Sequence, residues 1–250
     1  MTKKNDAFVL RDGPRLISET APFEYIEAYK SLRTNISFIT ANNKYRKIVV
    51  TSALRDEGKS SMSVNLAISL TQTGSKVLLI DADMRNPSLR RYLHMKKDDK
   101  HGLSNLLTGN VKVGDCLVKT KYGFDLVAGG AIPPNPAELI SSDSMQALLD
   151  SAAMHYDYII CDAPPIGIIT DAAALSPLCD GILYVVRHGF ANKNQVRDAI
   201  RKLEAVNAKI IGAVMTQYMI PKDSISKYRY RNYGYKYEYG YGYGASKDDE

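Results

Sequence analysis

The sequence predicts an α/β fold: a mostly parallel central sheet with helices on both faces, followed by a disordered, tyrosine-rich C-terminal tail. Three observations predict it. Apolar runs of strand length alternate with helix-period segments along the chain, the pattern of strand–helix–strand crossovers. The runs around Ile48, Leu79 and Ile160 are continuously apolar rather than alternating, so both of their faces are buried. Residues 228 to 243 hold eight tyrosines and no aliphatic residue to bury beside them.

The bulk numbers agree with one domain and a tail. An apolar fraction of 45% is enough for a core, and 250 residues suit one large α/β domain. The formal charge is +6, but no basic cluster dominates, so no nucleic acid is expected. Cys116, Cys161 and Cys179 are far apart, odd in number and without metal spacing, which reads as reduced thiols. The first residues lack an apolar leader segment and no run nears 18 apolar residues. A cytoplasmic protein is expected, with any membrane role supplied by a partner.

The elements follow in order. Residues 1–22 are polar and interrupted by Gly13-Pro14 and Ala21-Pro22, an N-terminal arm. From Phe23 to about Thr40, Tyr25, Ile26, Tyr29, Leu32, Ile36 and Ile39 recur at helical spacing. Glu27, Lys30 and Arg33 lie on its polar side; spacing alone makes them a solvated face with one weak ion pair. The strand Lys47–Val50 enters the loop Thr51–Ser61, and a helix follows over Met62–Leu70. Strand, Gly58-Lys59-Ser60, helix is the setting of a phosphate-binding loop. Backbone N–H groups from Ala53 through Asp56, Glu57, Gly58 and Lys59 to Ser60 and Ser61 would face a polyphosphate at the helix N-terminus. Lys59 would reach the β and γ phosphates, and the Ser60 hydroxyl would ligate Mg²⁺. Ala53 stands where the usual motif has its first glycine.

The next strand, Lys76–Ile80, ends in Asp81 and Asp83. In open α/β sheets ligands sit beyond the carboxyl ends of the strands, which puts both carboxylates beside the phosphates. Residues 92–122 read as a variable loop region with a short helix over Leu103–Leu107. Phe124–Ala128 is a short strand, Pro133–Pro136 a rigid turn, and 137 to about 154 a helix. Asp157–Asp162 is another buried strand ending in a carboxylate, the position of a further Mg²⁺ contact in phosphoryl-transfer enzymes. Strands over Gly181–Arg187 and Lys209–Thr216, with a helix from about Lys193 to Val206 between them, complete a domain spanning 23–217.

The remaining 218–250 is a different polymer. Tyr228, Tyr230, Tyr233, Tyr235, Tyr237, Tyr239, Tyr241 and Tyr243 alternate with Gly, Arg, Lys and Glu. Repeated glycine makes regular structure entropically costly, so this is a flexible low-complexity tail. A sticky segment, an aromatic and basic nucleic-acid binder and a set of phosphorylatable phenols compete; an ATP site in the same chain favours the third. As a coil, the stretch from Gln217 to Glu250 spans roughly 30–35 Å on average.

Together these residues resemble the bacterial tyrosine kinases of capsule and exopolysaccharide synthesis, of the cytoplasmic Gram-positive type. The resemblance rests on the Ala53–Ser61 loop, the strand Val77–Pro87, the strand Ile159–Pro165 and the terminal tyrosine cluster. It implies a P-loop NTPase fold of the MinD/ParA type, ATP and Mg²⁺ as cofactors, and an ATP-dependent protein-tyrosine kinase. By resemblance Lys59 holds the β and γ phosphates, Ser60, Asp83 and Asp162 hold Mg²⁺, and Asp81 takes the proton of the attacking tyrosine. It also implies that Glu27, Lys30 and Arg33 join subunits into a ring, an octamer, in which the tail is phosphorylated in trans. Lys30 stands where the family has arginine, keeping the charge without the bidentate fork. The partners implied are a membrane activator with a cytoplasmic tail, a cognate tyrosine phosphatase and protein substrates. Leu54 occupies the place of the signature lysine of the partitioning ATPases, the alternative being an ATPase switch without kinase activity. Relatives often place an adenine-reading asparagine after the last strand, where Thr216-Gln217 stands here, so the base contact is unassigned.

Overall fold

The computed structural model describes residues 16–18 and 20–218. The tail tyrosines therefore lie outside the described residues, as does most of the N-terminal arm. Among the described residues the sheet has seven strands: β1 (Lys47–Ser52), β2 (Val77–Asp81), β3 (Leu117–Lys119), β4 (Asp125–Val127), β5 (Tyr158–Asp162), β6 (Gly181–Arg187) and β7 (Ile210–Thr216). Their order is β3-β4-β2-β5-β1-β6-β7, and every neighbouring pair is parallel except β3 with β4. The expected mostly parallel sheet is present.

Both faces are covered, and the strands show why. Ile48, Val50, Leu79, Ile160 and Leu183 turn to one side, where they pack with Ile36 of α1 (Phe23–Asn43) and with Met62, Leu66 and Leu70 of α2 (Lys59–Thr71). Val49, Leu78, Ile80, Ile159 and Cys161 turn to the other. There they meet α4 (Leu103–Leu107), α6 (Pro136–Ile140), α7 (Asp143–Ala153), α8 (Asp171–Leu175) and α9 (Lys193–Glu204). Successive strand residues thus feed two separate cores, one on each face of the sheet. The short helices α3 (Leu89–Tyr92) and α5 (Val113–Cys116) lie in the loops after β2 and before β3.

Several boundaries differ from the sequence reading. The helix expected over 137–154 is two: α6 ends at Ile140, and Ser142 starts α7 by accepting the Met145 N–H at 3.3 Å. A serine free to cap competes with helix continuation, and the hydrophobic periodicity runs through the break undisturbed. Residues 92–122 contain the edge strand β3, too short to show an alternation. α2 begins at Lys59, within the loop, because Gly58 adopts φ +87° and serves as its N-cap. Ile17, in the expected arm, is buried on the α1–α2 side, and its N–H donates to Asn65 Oδ1 at 2.7 Å.

Candidate active site

The carboxyl ends of β1, β2 and β5 lie side by side, with β5 between the other two, and each delivers its polar residues to one place. The loop after β1 is braced from within. Glu57 is fully buried; its Oε2 accepts the Leu54 N–H at 2.8 Å, and its Oε1 accepts the Arg187 N–H at 3.5 Å. Thr216, at the end of β7, donates its hydroxyl to the Glu57 carbonyl at 2.6 Å. A Cβ on Gly58 would sit in ordinary contact, 3.4 Å from the Thr216 side chain, but in a left-handed backbone, so glycine is required for conformation rather than for space. Ala53 is 1% exposed, and its methyl group is accommodated in the α4/α6–α9 core. That accounts for an alanine in place of the motif's first glycine. The carbonyl of Ala53 also lies where Gly167, on the loop after β5, has no Cβ to place: one would approach within 2.1 Å.

Lys59 is buried at the first position of α2. Two carboxylates, Asp83 and Asp162, feel its charge, and a third, Asp81, adjoins both of them. Asp81 and Asp162 are paired in register on β2 and β5, each 1% exposed. Asp83 is half-buried and accepts the Asn86 N–H at 3.0 Å. Ser60 is hydrogen-bonded to Ser88 at 3.1 Å, and Ser63 donates to Asp162 Oδ1 at 3.2 Å. Asp81 Oδ2 accepts the N–H groups of Ser88 and Leu89 at 2.9 and 3.0 Å, while Asp81 Oδ1 is buried with no partner among the described residues. Arg85 grips Asp171 through two hydrogen bonds of 2.9 and 3.1 Å, tying the loop after β2 to α8.

The electrostatics are those of a like-charge cluster. Burial raises the Asp81 carboxyl well above the usual range, and Asp162 beside it raises it further, against the two backbone N–H bonds. Burial pushes Asp162 up to about 6, although Lys59, Ser60 and Ser63 favour its charged form. Asp83 is raised by burial, with the Asn86 N–H and Lys59 opposing. Three clustered carboxylates, two of them beside Lys59, with an orphaned oxygen among them, fit a polyphosphate carrying a divalent cation. No group of three or more metal-ligating side chains is assembled among the described residues. Mg²⁺ takes one or two protein oxygens and completes its shell with phosphate and water. A cleft of about 460 Å³ opens beside Asp81, lined by Pro87, Arg90, Asp98, Gly129 and Ile132.

A family model described as an AAA domain matches residues 46–210. Tyrosine-protein kinase YwqD of Bacillus subtilis is 36% identical over 199 residues, covering 79% of this chain and 83% of that protein. This chain belongs to the bacterial tyrosine-protein kinases. Tyrosine-protein kinase CpsD of Streptococcus agalactiae is also 36% identical, over 81% of this chain and 86% of its own. Among solved structures, the chimerical protein CapA2B2 superposes with TM-score 0.73 at 34% identity, over 78% of this chain and 85% of that one. The kinase domain of Escherichia coli ETK superposes with TM-score 0.73 at 30% identity, over 92% and 88%.

In this kinase the structure gathers Lys59, Ser60, Asp81, Asp83 and Asp162 at one end of the sheet. It keeps Glu27, Lys30 and Arg33 apart from them, on α1. Lys30 and Glu27 pair with each other at 2.7 Å, both nearly half exposed, while Arg33 donates to the Ser69 carbonyl of α2 at 2.7 Å. Sequence reasoning missed Ser63, Ser88, Arg187 and the bracing role of Thr216. Their signal is weak, because each acts through a backbone group or one hydroxyl, and only the fold brings them to the loop. It also counted Glu57 among the phosphate-facing residues; its carboxylate turns inward as a brace, leaving its backbone N–H for the loop.

Proposed function

We propose that this chain is an ATP-dependent protein-tyrosine kinase that phosphorylates its own C-terminal tyrosine cluster, in trans within an oligomeric ring, and so regulates capsular or exopolysaccharide synthesis and export. The observation that carries the chemistry is Asp81: a buried carboxylate held by two backbone N–H groups at one oxygen, with the other oxygen unpartnered beside a cleft. A tyrosine hydroxyl with pKa near 10 is a poor nucleophile at pH 7 without a base in reach. Asp81 Oδ1 takes that proton as the phenolic oxygen bonds to the γ-phosphorus and the bond to the ADP oxygen breaks. The raised proton affinity of Asp81 narrows its mismatch with the phenol. Lys59 and the loop N–H groups hold the β and γ phosphates, so the rate enhancement is positioning and charge neutralisation. Ser60, Asp83 and Asp162 hold Mg²⁺, which when bound neutralises charge developing on the phosphate oxygens.

The α1 residues Glu27, Lys30 and Arg33 form the subunit contact of the ring, an octamer, and the domain 23–217 is the catalytic unit that reaches a neighbour's tail at Tyr228 to Tyr243. No described helix is long and apolar enough to cross a membrane. In this reading the kinase works in the cytoplasm, recruited to the membrane by an activator's cytoplasmic tail and reset by a cognate tyrosine phosphatase. The test is mass spectrometry of the tail after incubation with ATP and Mg²⁺, with and without an activator segment, beside an Asp81→Ala variant. Phosphate on Tyr228 to Tyr243 in the parent alone is the expected result. ATP turnover with no phosphotyrosine under either condition would replace the kinase reading by an ATPase switch.

A further inference from the structure

The two edges of the sheet are finished differently. At one, β3 is three residues long, runs antiparallel and ends in the exposed Lys119. Short length and an edge lysine are devices that discourage further strand pairing. At the other, β7 is seven residues long, Ile-Ile-Gly-Ala-Val-Met-Thr, with no proline and no charge. It stands last in the sheet, so its outer edge has no partner strand among the described residues. Its one irregularity in register is opposite Ile182 and Leu183, which leaves Gly212–Thr216 evenly paired to β6 and free of a bulge. Ala213 and Met215, in register with Tyr184 and Val186, face the side covered by α9, and both are exposed, Met215 by 54%.

The surroundings are basic on balance, with Asp198 and Glu204 as the acids of α9. Lys209 precedes β7, Arg187 ends β6, and α9, the crossover between the two strands, carries Lys193, Arg197 and Arg201 on its exposed surface. Lys193 and Arg197 have no ion pair among the described residues, whereas Arg201 meets Asp198 at 3.5 Å.

We propose that the outer edge of β7 is a docking site for an extended peptide segment of a partner protein, which adds to the sheet as a strand, places apolar side chains against Ala213 and Met215 and carries acidic flanks. Main-chain hydrogen bonds supply affinity in such additions, and alternate side chains supply specificity. The acidic flanks meet the cations of α9 and Lys209. The strand is also wired to the phosphate loop. β7 ends in Thr216, whose hydroxyl holds the Glu57 carbonyl at 2.6 Å and whose side chain abuts Gly58. Ordering β7 therefore fixes the loop, and a bound strand raises nucleotide affinity; by linkage, nucleotide raises affinity for the strand. This second arm rests on the nucleotide-binding reading above, while the docking itself does not.

The probe is the synthetic peptide Glu-Val-Thr-Val-Thr-Val-Glu, with a proline-interrupted version as control, added to the full chain. Hydrogen exchange followed by mass spectrometry should slow over 210–216 with the probe and not with the control. Binding of a non-hydrolysable ATP analogue should tighten about fivefold or more. Ala213→Lys should abolish the protection and leave peptide-free tail phosphorylation unchanged. Thr216→Val should keep the protection and lose the tightening. Protection elsewhere, none at all, or unaltered binding by Ala213→Lys would overturn the docking site. Protection of 210–216 that rises with protein concentration in the absence of peptide would overturn it in favour of a second copy of this chain. Analogue that does not bind, with β7 still protected, would strike the nucleotide reading and leave the docking site standing.

Discussion

Two sets of charged residues were picked out in this chain, and the fold treats them in opposite ways. Asp81 and Asp162 are 1% exposed and share one sign with Asp83, and the Lys59 charge offsets only part of the burden on Asp162 and Asp83. Glu27 and Lys30 on α1 are nearly half exposed, opposite in sign and already 2.7 Å apart. The first set is at odds with its surroundings until something cationic and something phosphorylated arrive. The second is satisfied as it stands. A charge that its environment penalises points to a ligand, while a charge at ease in solvent is silent about one. The α1 residues therefore need a partner subunit to be given a role, and the sheet-end residues do not.

The largest way to break this contrast is to remove the cation from the first set. Lys59→Met should lower tail phosphorylation on the order of 10²–10³-fold or more, since one preorganised charge on the transferring group is lost. Quantitative mass spectrometry of Tyr228 to Tyr243 reads the effect. Full modification in this variant would mean that another enzyme phosphorylates the tail.

A second substitution separates function from stability at the same place. Asp162→Asn should abolish phosphorylation yet make the nucleotide-free protein more stable at neutral pH, by roughly 1–3 kcal/mol. The direction follows from linkage. Asp162 is pushed up to about 6 in the folded protein, so between about 4 and 6 the native state binds more protons than the unfolded one. Parent stability therefore falls as pH rises through that window, and the burden is fully present above about 6. Asp81, shifted in the same direction, adds to it. Asn removes the Asp162 share. Mg²⁺–nucleotide binding should strengthen over the same rise in pH as the carboxylates ionise. Thermal unfolding across pH, with and without Mg²⁺–nucleotide, checks both slopes; a flat parent profile would mean that the cluster is not strained.

How much of this was legible beforehand follows from where each signal is carried. Lys59, Ser60, Asp81 and Asp162 announce themselves because contiguous sequence holds both the strand and its terminal residue, and strand ends in a parallel sheet meet at one edge. Thr216 and Arg187 do not, because their contacts to the loop span 159 and 130 residues and use single backbone atoms. The break between α6 and α7 was hidden for a related reason: Ser142 wins locally as a cap while the apolar pattern on either side stays in phase. β3 is three residues long and exists through its pairing with β4, which no local pattern records.

A milder perturbation lies between the two regions. Thr216→Val deletes the hydroxyl that holds the Glu57 carbonyl and keeps the shape of the side chain. The cost should be about 1 kcal/mol, felt as weaker nucleotide binding, roughly a few-fold, with little change in melting temperature. Isothermal titration with an ATP analogue tests it; unchanged affinity would show that Glu57 alone sets the loop.

The smallest effect is the most discriminating for α1. Glu27→Ala breaks an exposed i,i+3 pair, and such pairs contribute a few tenths of a kcal/mol. The isolated subunit should melt almost where the parent does. If the pair is only a solvated face, sedimentation will give the same mass for variant and parent at every concentration. If Glu27 leaves Lys30 to meet a neighbouring subunit, the contact is repeated at every interface of the ring, and the variant will sediment as smaller species under conditions where the parent is assembled. Arg33 offers the internal control. Its guanidinium already serves α2 through the Ser69 carbonyl, so Arg33→Ala should lower stability as well as assembly, whereas Glu27→Ala should touch assembly alone. A charge satisfied within its own subunit becomes functional only by exchanging that partner for a better one, and these two variants measure whether the exchange takes place.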